Sequence, residues 1–226
     1  MDFTFQPHAH PILMHSQLII LDEKLDTYII LNEPQTTSLT TGRKGCIQHN
    51  TIRQELISLN IITDSADHSR PLTNASNDYE GIDNYVWRMN NRHPRQRFKL
   101  LPTLRACFDL ISLKVVLTLG GLEYCLNRMR ASKKSFTVPP APAWHKSIED
   151  YAHGIRIASL ILPFKVKCLE SSICIFKHAI RNDKNCDFFI GVQLFDFLSH
   201  AWVEVDGKVV ADDPHLSRKL PKILTI

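Results

Sequence analysis

Reactive chemistry is concentrated in one stretch, Ser199-His200-Ala201-Trp202-Val203-Glu204-Val205-Asp206-Gly207, followed by Val209-Val210-Ala211-Asp212. The pattern sets a histidine and an aspartate on two arms of one hairpin. From His200 to Val205 the residues alternate, with Ala201, Val203 and Val205 on one face and His200, Trp202 and Glu204 on the other. Asp206-Gly207 is the two-residue turn favoured between twisted antiparallel strands, so Lys208 to Ala211 is expected to return beside the first arm. The residue opposite His200 then lies close to Asp212 or Asp213. A carboxylate there would fix the ring tautomer and steady the imidazolium. Cys168 stands at the start of an apolar helical pattern, where a helix N-terminus stabilises a thiolate, and it can supply the nucleophile. The residues read as a cysteine peptidase: Cys168 attacks, His200 takes its proton, and Asp212 or Asp213 completes the set.

Other reactive side chains fit supporting roles better. Trp202 and Glu204 move progressively away from His200 along the strand and read as packing and support. Cys174 lies six residues after Cys168, on another side of the helix, and is expected in the core; Cys186 falls in a polar loop, Asn182 to Asp187. His153 and His178 could approach by folding, but spacing gives no geometry for them. Ser171 and Ser172 are expected to support the helix start. The six cysteines show no Cys-x-x-Cys spacing, so reduced thiols are expected and a structural zinc site is not. No Gly-rich phosphate loop is present, and no cofactor is expected.

Cys168-Leu169-Glu170-Ser171-Ser172, Phe189-Ile190-Gly191-Val192, the His-Ala-Trp-Val-Glu-Val-Asp-Gly segment, Ala211-Asp212 and the tail from Asp213-Pro214-His215-Leu216 to Lys219-Leu220 together resemble the transglutaminase-like leader peptidases of lasso-peptide biosynthesis. The resemblance implies Cys168 as nucleophile, His200 as base and Asp212 as third member; a single bulge in the hairpin would exchange Asp212 for Asp213. It also implies a bacterial cytoplasmic protein that cleaves the leader of a lasso precursor peptide from its core. The core then passes to a separate asparagine-synthetase-like macrolactam cyclase, to which any ATP use would belong. Two other outcomes stay open: a transglutaminase-type acyltransferase, in which an amine resolves the acyl-enzyme, and a catalytically inactive leader-binding scaffold.

The N-terminal third fits the fused form of that family, which begins with a precursor-peptide recognition element. Ile12 to Met14, Leu18 to Asp22 and Thr27 to Leu31 read as three short strands, with turns at His15-Ser16-Gln17 and Glu23 to Asp26. Thr51-Ile52-Arg53-Gln54 is a capping-box pattern that opens a helix, with Ile52, Leu56, Leu59 and Ile62 as its apolar stripe. Strands followed by helices suggest a compact winged-helix-like unit. The resemblance implies that a leader peptide adds as an extra strand at a sheet edge containing Tyr28, Ile29 and Ile30.

Length and composition agree with two modest domains. The 226 residues are 44% hydrophobic with a net charge of +4, more than one domain of usual size needs and enough to fill ordinary cores. The expected organisation is α+β: a winged-helix-like recognition domain over 1–65, a linker over 66–83, and a transglutaminase/papain-like domain over 84–226 with an antiparallel sheet and a nucleophile-bearing helix. Met1 to His10 carries no basic region or long apolar run, so no secretory signal is expected. Leu100 to Met129 is strongly helical, with Leu101, Leu104, Phe108, Ile111 and Val115 at threes and fours; Asp109, Lys114 and Glu123 interrupt it, which argues for a buried packing helix over a membrane span. Val138-Pro139-Pro140-Ala141-Pro142 ends this segment, and Ser147 to Leu162 offers the next helix. Asn84 to Lys134 carries eleven Lys or Arg against Asp109 and Glu123, a wet or partner-facing basic surface. Nucleic-acid binding is disfavoured, because aromatics are not interleaved with these charges as stacking platforms.

Overall fold

The computed structural model describes residues 3–41, 47–63, 70–75, 78–82, 99–134, 145–182 and 184–226. The chain forms two compact units, Met1–Asp78 and Tyr79–Ile226. Both mix helices and sheets, so the α+β expectation holds.

In the first unit, β2 (Ala9–Met14), β3 (Gln17–Asp22) and β4 (Thr27–Leu31) form an antiparallel meander. The short β6 (Thr73–Asn74) adds parallel to β2, giving the order β4-β3-β2-β6. His15 and Ser16 both take positive φ, 45° and 62°, the backbone that a two-residue hairpin turn requires. Strands β1 (Thr4–Phe5) and β5 (Ile62–Thr63) make a separate antiparallel pair. Helix α1 (Glu33–Thr41) starts with a reciprocal cap: Asn32 N–H donates to Gln35 Oε1 and Gln35 N–H to Asn32 Oδ1, each at 3.0 Å. The buried Thr36 hydroxyl ties this helix to the sheet, accepting from Leu18 N–H at 3.0 Å and donating to the Leu31 carbonyl at 3.1 Å. Phe5, Leu18, Ile20, Leu39, Ile52 and Leu56 share the core.

Two expectations for this unit need correction. Helix α2 runs Ile47–Ser58, so Thr51 lies inside it and does not cap it. Ile52 and Leu56 are buried as expected, but Leu59 is exposed and Ile62 belongs to β5. Within the stretch read as a linker, Arg70 donates to the Pro7 carbonyl and to His10 Nδ1 at 2.8 Å, while Tyr79 to Ile82 join the second unit.

The second unit is built on an antiparallel sheet in the order β10-β7-β8-β9, from β7 (Cys186–Gln193), β8 (Leu198–Val205), β9 (Lys208–Val209) and β10 (Lys222–Thr225). Its helices are α3 (Leu100–Lys134), α4 (His145–Ile161), α5 (Cys168–Arg181) and the single-turn α6 (Leu216–Lys219). Helix α5 packs against β7 and β8, with Phe176 edge-on to Phe188 at 6.4 Å. Helix α3 packs on α4 and α5; Gly121, at φ 73° and ψ 179°, breaks its helical course. The expected apolar stripe of α3 is not the buried one. Ala106, Leu110, Leu113, Leu122, Cys125, Leu126 and Met129 face the interior, whereas Leu101, Leu104, Phe108, Ile111 and Val115 are exposed. The helix carries apolar residues on two faces, and its hydrophobic spacing alone does not say which one the fold covers.

Among the described residues no helix is long and apolar enough to cross a membrane. The proline-rich segment 138–142 and residues 84–98 of the basic stretch lie outside the described residues. Cys186 is not in a loop: it opens β7, buried, with its thiol near the Phe176 carbonyl at 3.9 Å.

Helices α3 and α4 touch where Gly154 meets the Pro102–Thr103 backbone, and a Cβ at Gly154 would stand 2.8 Å from the Pro102 carbonyl oxygen. Backbone cannot yield as a side-chain tip can. Gly154→Ala is expected to lower stability by about 1–3 kcal/mol, measured as a reduced urea midpoint.

Candidate active site

Cys168 is the first residue of α5. Glu170, buried in the first turn, accepts the Lys167 N–H at 3.0 Å and lies 3.6 Å from Lys114 Nζ, so its carboxylate is paired as well as capping. The Ser172 hydroxyl donates to the Ala201 carbonyl at 2.8 Å and bonds the nucleophile helix directly to the histidine strand. Ser171 bonds back to the Lys167 carbonyl within the helix.

The hairpin follows the sequence closely, then departs from it. Val205 pairs with Lys208 and Glu204 with Val209, and both turn residues have positive φ, Asp206 at 50° and Gly207 at 73°. Pairing ends early: β9 is two residues long, and after the Val210 N–H bonds the Val203 carbonyl the chain turns away through Ala211 at φ 57°. A left-handed alanine is strained by about 1–2 kcal/mol. It leaves Asp212, and not Asp213, facing the imidazole: His200 Nε2 donates to Asp212 Oδ2 at 2.7 Å. Asp213 instead accepts from Lys219 Nζ at 2.7 Å and from the His215 N–H at 2.9 Å. Those two groups hold its carboxyl below the ordinary range despite partial burial.

Since Nε2 serves Asp212, the Cys168 thiol must meet the other ring nitrogen, Nδ1, in the hydrogen bond these two side chains share. Burial disfavours ionisation of both groups. For His200 the bonds to Asp212 and Cys168 more than reverse this, and its pKa rises to about 9. For Cys168 burial is outweighed by the bond to His200, the imidazolium charge, and the backbone N–H groups of Ala201 and Leu169, so the thiol falls below its ordinary value. The two directions agree and describe a thiolate–imidazolium pair. Cys174 and Cys186, buried without such partners, are pushed up to about 12.

Trp202 forms the floor behind His200. Its ring lies nearly parallel to the imidazole at 6.4 Å, Phe189 packs beside it at 5.4 Å, and its Nε1–H donates to Glu204 Oε1 at 2.9 Å. Glu204 also bonds the Ser217 hydroxyl of α6. Gly191 stands opposite His200, and a Cβ there would meet the Trp202 ring at 2.7 Å and Leu220 at 2.8 Å. The Lys222 ammonium caps the Phe189 ring at 3.7 Å.

A cleft of about 510 Å³ opens onto Cys168 and Asp212. One wall is α4, which contributes Glu149, His153 and Arg156; Lys208 lies on another side. His153 thus reaches the cleft. His178 does not: it stacks on Tyr151 at 3.9 Å, and burial together with Arg105 and Arg181 lowers its pKa to about 4. Sequence reasoning missed the α4 wall, which has no motif; it also missed the Ser172 bridge, whose partner is a backbone carbonyl 29 residues away. Among the described residues no group of three or more His, Cys, Asp and Glu could hold a metal ion.

Tyr28, Ile29 and Ile30 all fall in β4, at one end of the first unit's sheet order. Ile29 packs partly against the core, whereas Ile30 is exposed.

A helix that presents a cysteine to a histidine on an antiparallel sheet is the arrangement of transglutaminase-like proteins. The family model described as Transglutaminase-like superfamily matches residues 109–225, more than half of the chain; the chain belongs to that superfamily. It is also similar to Microcin J25-processing protein McjB from Escherichia coli, 36% identical over 81 residues, which covers 33% of this chain and 39% of that relative. The match therefore spans well under two thirds of the relative's length. No solved structure matches.

Because His200 holds its proton to about pH 9 in the folded protein and to about 6.5 as a free side chain, its contribution to stability is full below about 6.5 and is lost as pH rises through 9. Asp212→Asn is expected to flatten this dependence in urea unfolding followed from pH 6 to 10. The same variant should slow alkylation of Cys168 at pH 7 by about tenfold or more, since loss of the carboxylate weakens the imidazolium; alkylation mapped by mass spectrometry reads this directly.

Proposed function

We propose that this protein is a thiol peptidase that binds the leader of a lasso-peptide precursor and cuts it from the core. The observation that carries the reading is the hydrogen bond between Cys168 and His200, backed by Asp212 and open to a cleft of about 510 Å³. The Cys168 thiolate attacks the carbonyl at the leader–core junction, and the tetrahedral oxyanion accepts from the Cys168 backbone N–H at the helix start. Collapse breaks the C–N bond, His200 gives its proton to the departing amine, and a thioester remains. Water, deprotonated by His200, then releases the acid and restores the thiol. His200 and water carry every proton in this sequence, and none of these steps uses a cofactor. Superfamily membership supports the acyl-transfer chemistry; similarity to a microcin-processing protein of Escherichia coli supports a processing role.

In this reading the first unit is a winged-helix-like recognition element. The leader adds beside Tyr28, Ile29 and Ile30 of β4, and its capture raises the local concentration of the scissile bond. The freed core N-terminus passes to an asparagine-synthetase-like cyclase, which spends the ATP, and the setting is the bacterial cytoplasm.

The decisive experiment incubates a candidate precursor with wild type and with Cys168→Ala, each with and without cyclase and ATP, and weighs the products. Cleavage at one bond by wild type alone is expected. Equal cleavage by both would move the chemistry away from Cys168, and products heavier by an added amine would make the protein an acyltransferase. Ile30→Asp, at the exposed edge, is expected to weaken leader affinity about tenfold, roughly 1.4 kcal/mol, in fluorescence anisotropy, with Cys168 alkylation unchanged.

A further inference from the structure

The outer face of α3 carries a row of exposed apolar side chains. Leu101, Leu104, Phe108, Ile111 and Val115 recur at intervals of three and four, flanked by Leu100 and Leu119, and every one is exposed; Leu101 reaches 79%, Phe108 70% and Leu119 83%. This is a heptad seam, with Leu101, Phe108 and Val115 at one repeated position and Leu104 and Ile111 at the other. The residue diametrically behind it, Ala106, is fully buried, so the helix is already anchored on its opposite side and offers the seam outward. Exposed apolar side chains in one contiguous row mark an interaction surface more often than isolated ones do.

The seam ends at a defined place. Gly121 breaks the helical course, and beyond it Leu122, Cys125, Leu126 and Met129 all turn inward. Leu100 to Leu119 therefore presents about five turns, roughly 28 Å at about 1.5 Å per residue. The flanking positions that would face a partner's rim are Arg105, Cys107, Ser112 and Lys114. Both charges among them are positive, and since Lys114 also lies 3.6 Å from the buried Glu170, Arg105 leads the charge of this rim. Asp109, the acid within this stretch, points away from the seam, taken by Tyr151 at 2.7 Å and Arg181 at 3.1 Å.

We propose that this face is the docking seam for an amphipathic helix of a partner protein, of about five turns, with apolar residues at its own heptad positions and acidic residues along its rim. The three–four spacing fits knobs into the holes of a second helix, which a strand or an irregular segment could not fill. A second copy of this chain would bring the same acid-free rim and gain no cross-helix ion pair. Among the described residues, an anionic lipid surface would find Arg105 and Lys114 beside the seam, worth about 1 kcal/mol each, a weak electrostatic hold.

Two synthetic heptad peptides of about 21 residues test this, both with Leu at the seam positions, one with Glu and the other with Lys along the rim. Like charges keep each from pairing with itself. Full-length protein is expected to bind the Glu peptide at least tenfold tighter than the Lys peptide in fluorescence anisotropy. Phe108→Glu should cost tenfold or more, and Arg105→Glu should narrow or reverse the preference, with circular dichroism and Cys168 alkylation unchanged in both. Equal binding of the two peptides, or none, overturns the proposal. So does a dimer in sedimentation equilibrium that Phe108→Glu dissociates, or binding to vesicles with 30% anionic lipid that exceeds binding to the Glu peptide.

Discussion

A protonated imidazole in the interior is the constraint around which the second unit is arranged. Burial by itself would drive His200 neutral, and only hydrogen bonds at both of its ring nitrogens hold the proton there. Such bonds are sensitive to tenths of an ångström, so the surroundings must be stiff. Cross-strand pairing with Gly191 removes any side chain that could lift Trp202, the Trp202 ring lies along the imidazole, and Glu204 with Ser217 pins the indole. Ser172 then couples the helix that carries the thiol to the strand that carries the imidazole, so the two move as one body.

The first unit meets a similar problem with different chemistry. His10, buried, lies between Arg70 and Glu23. An arginine can only donate, so Nδ1 of His10 must accept and Nε2 must carry the hydrogen toward Glu23. Here the neutral tautomer is fixed by a cation on one side and an anion on the other. The result is a clamp that joins the start of β2, the end of β3 and the segment before β6, elements far apart in sequence. Thr36 does the same for α1 with a single hydroxyl.

What was legible in the sequence was what local rules govern. The Asp206-Gly207 turn demands positive φ, and alternation fixes the faces of β8, so the hairpin register could be read from types and spacing. The three strands of the first sheet were readable for the same reason. Asp212 against Asp213 could not be settled from residue types alone, because the choice turns on one left-handed alanine, a conformation that alanine does not announce. Helix α1 leaves little signal in the sequence although Asn32 and Gln35 form its cap, since its middle is rich in Thr and weak in apolar spacing. Spacing reports that α3 is amphipathic, not which neighbour each face meets, so its exposed seam looks like a core stripe in the sequence. Tertiary bonds such as Ser172 to the Ala201 carbonyl leave no trace at either position.

Ala211 carries one more consequence. The chain leaves the sheet after Val210, and Asp212 hangs from a bent segment and not from a ladder rung. Insertions or deletions between Val210 and Pro214 can therefore re-aim the acid without slipping the β7–β8 register by even one residue. In a fully paired hairpin the same change would turn every following side chain to the opposite face. The carboxylate position is insulated from the sheet, free to drift over evolutionary time while the thiol and imidazole stay in place.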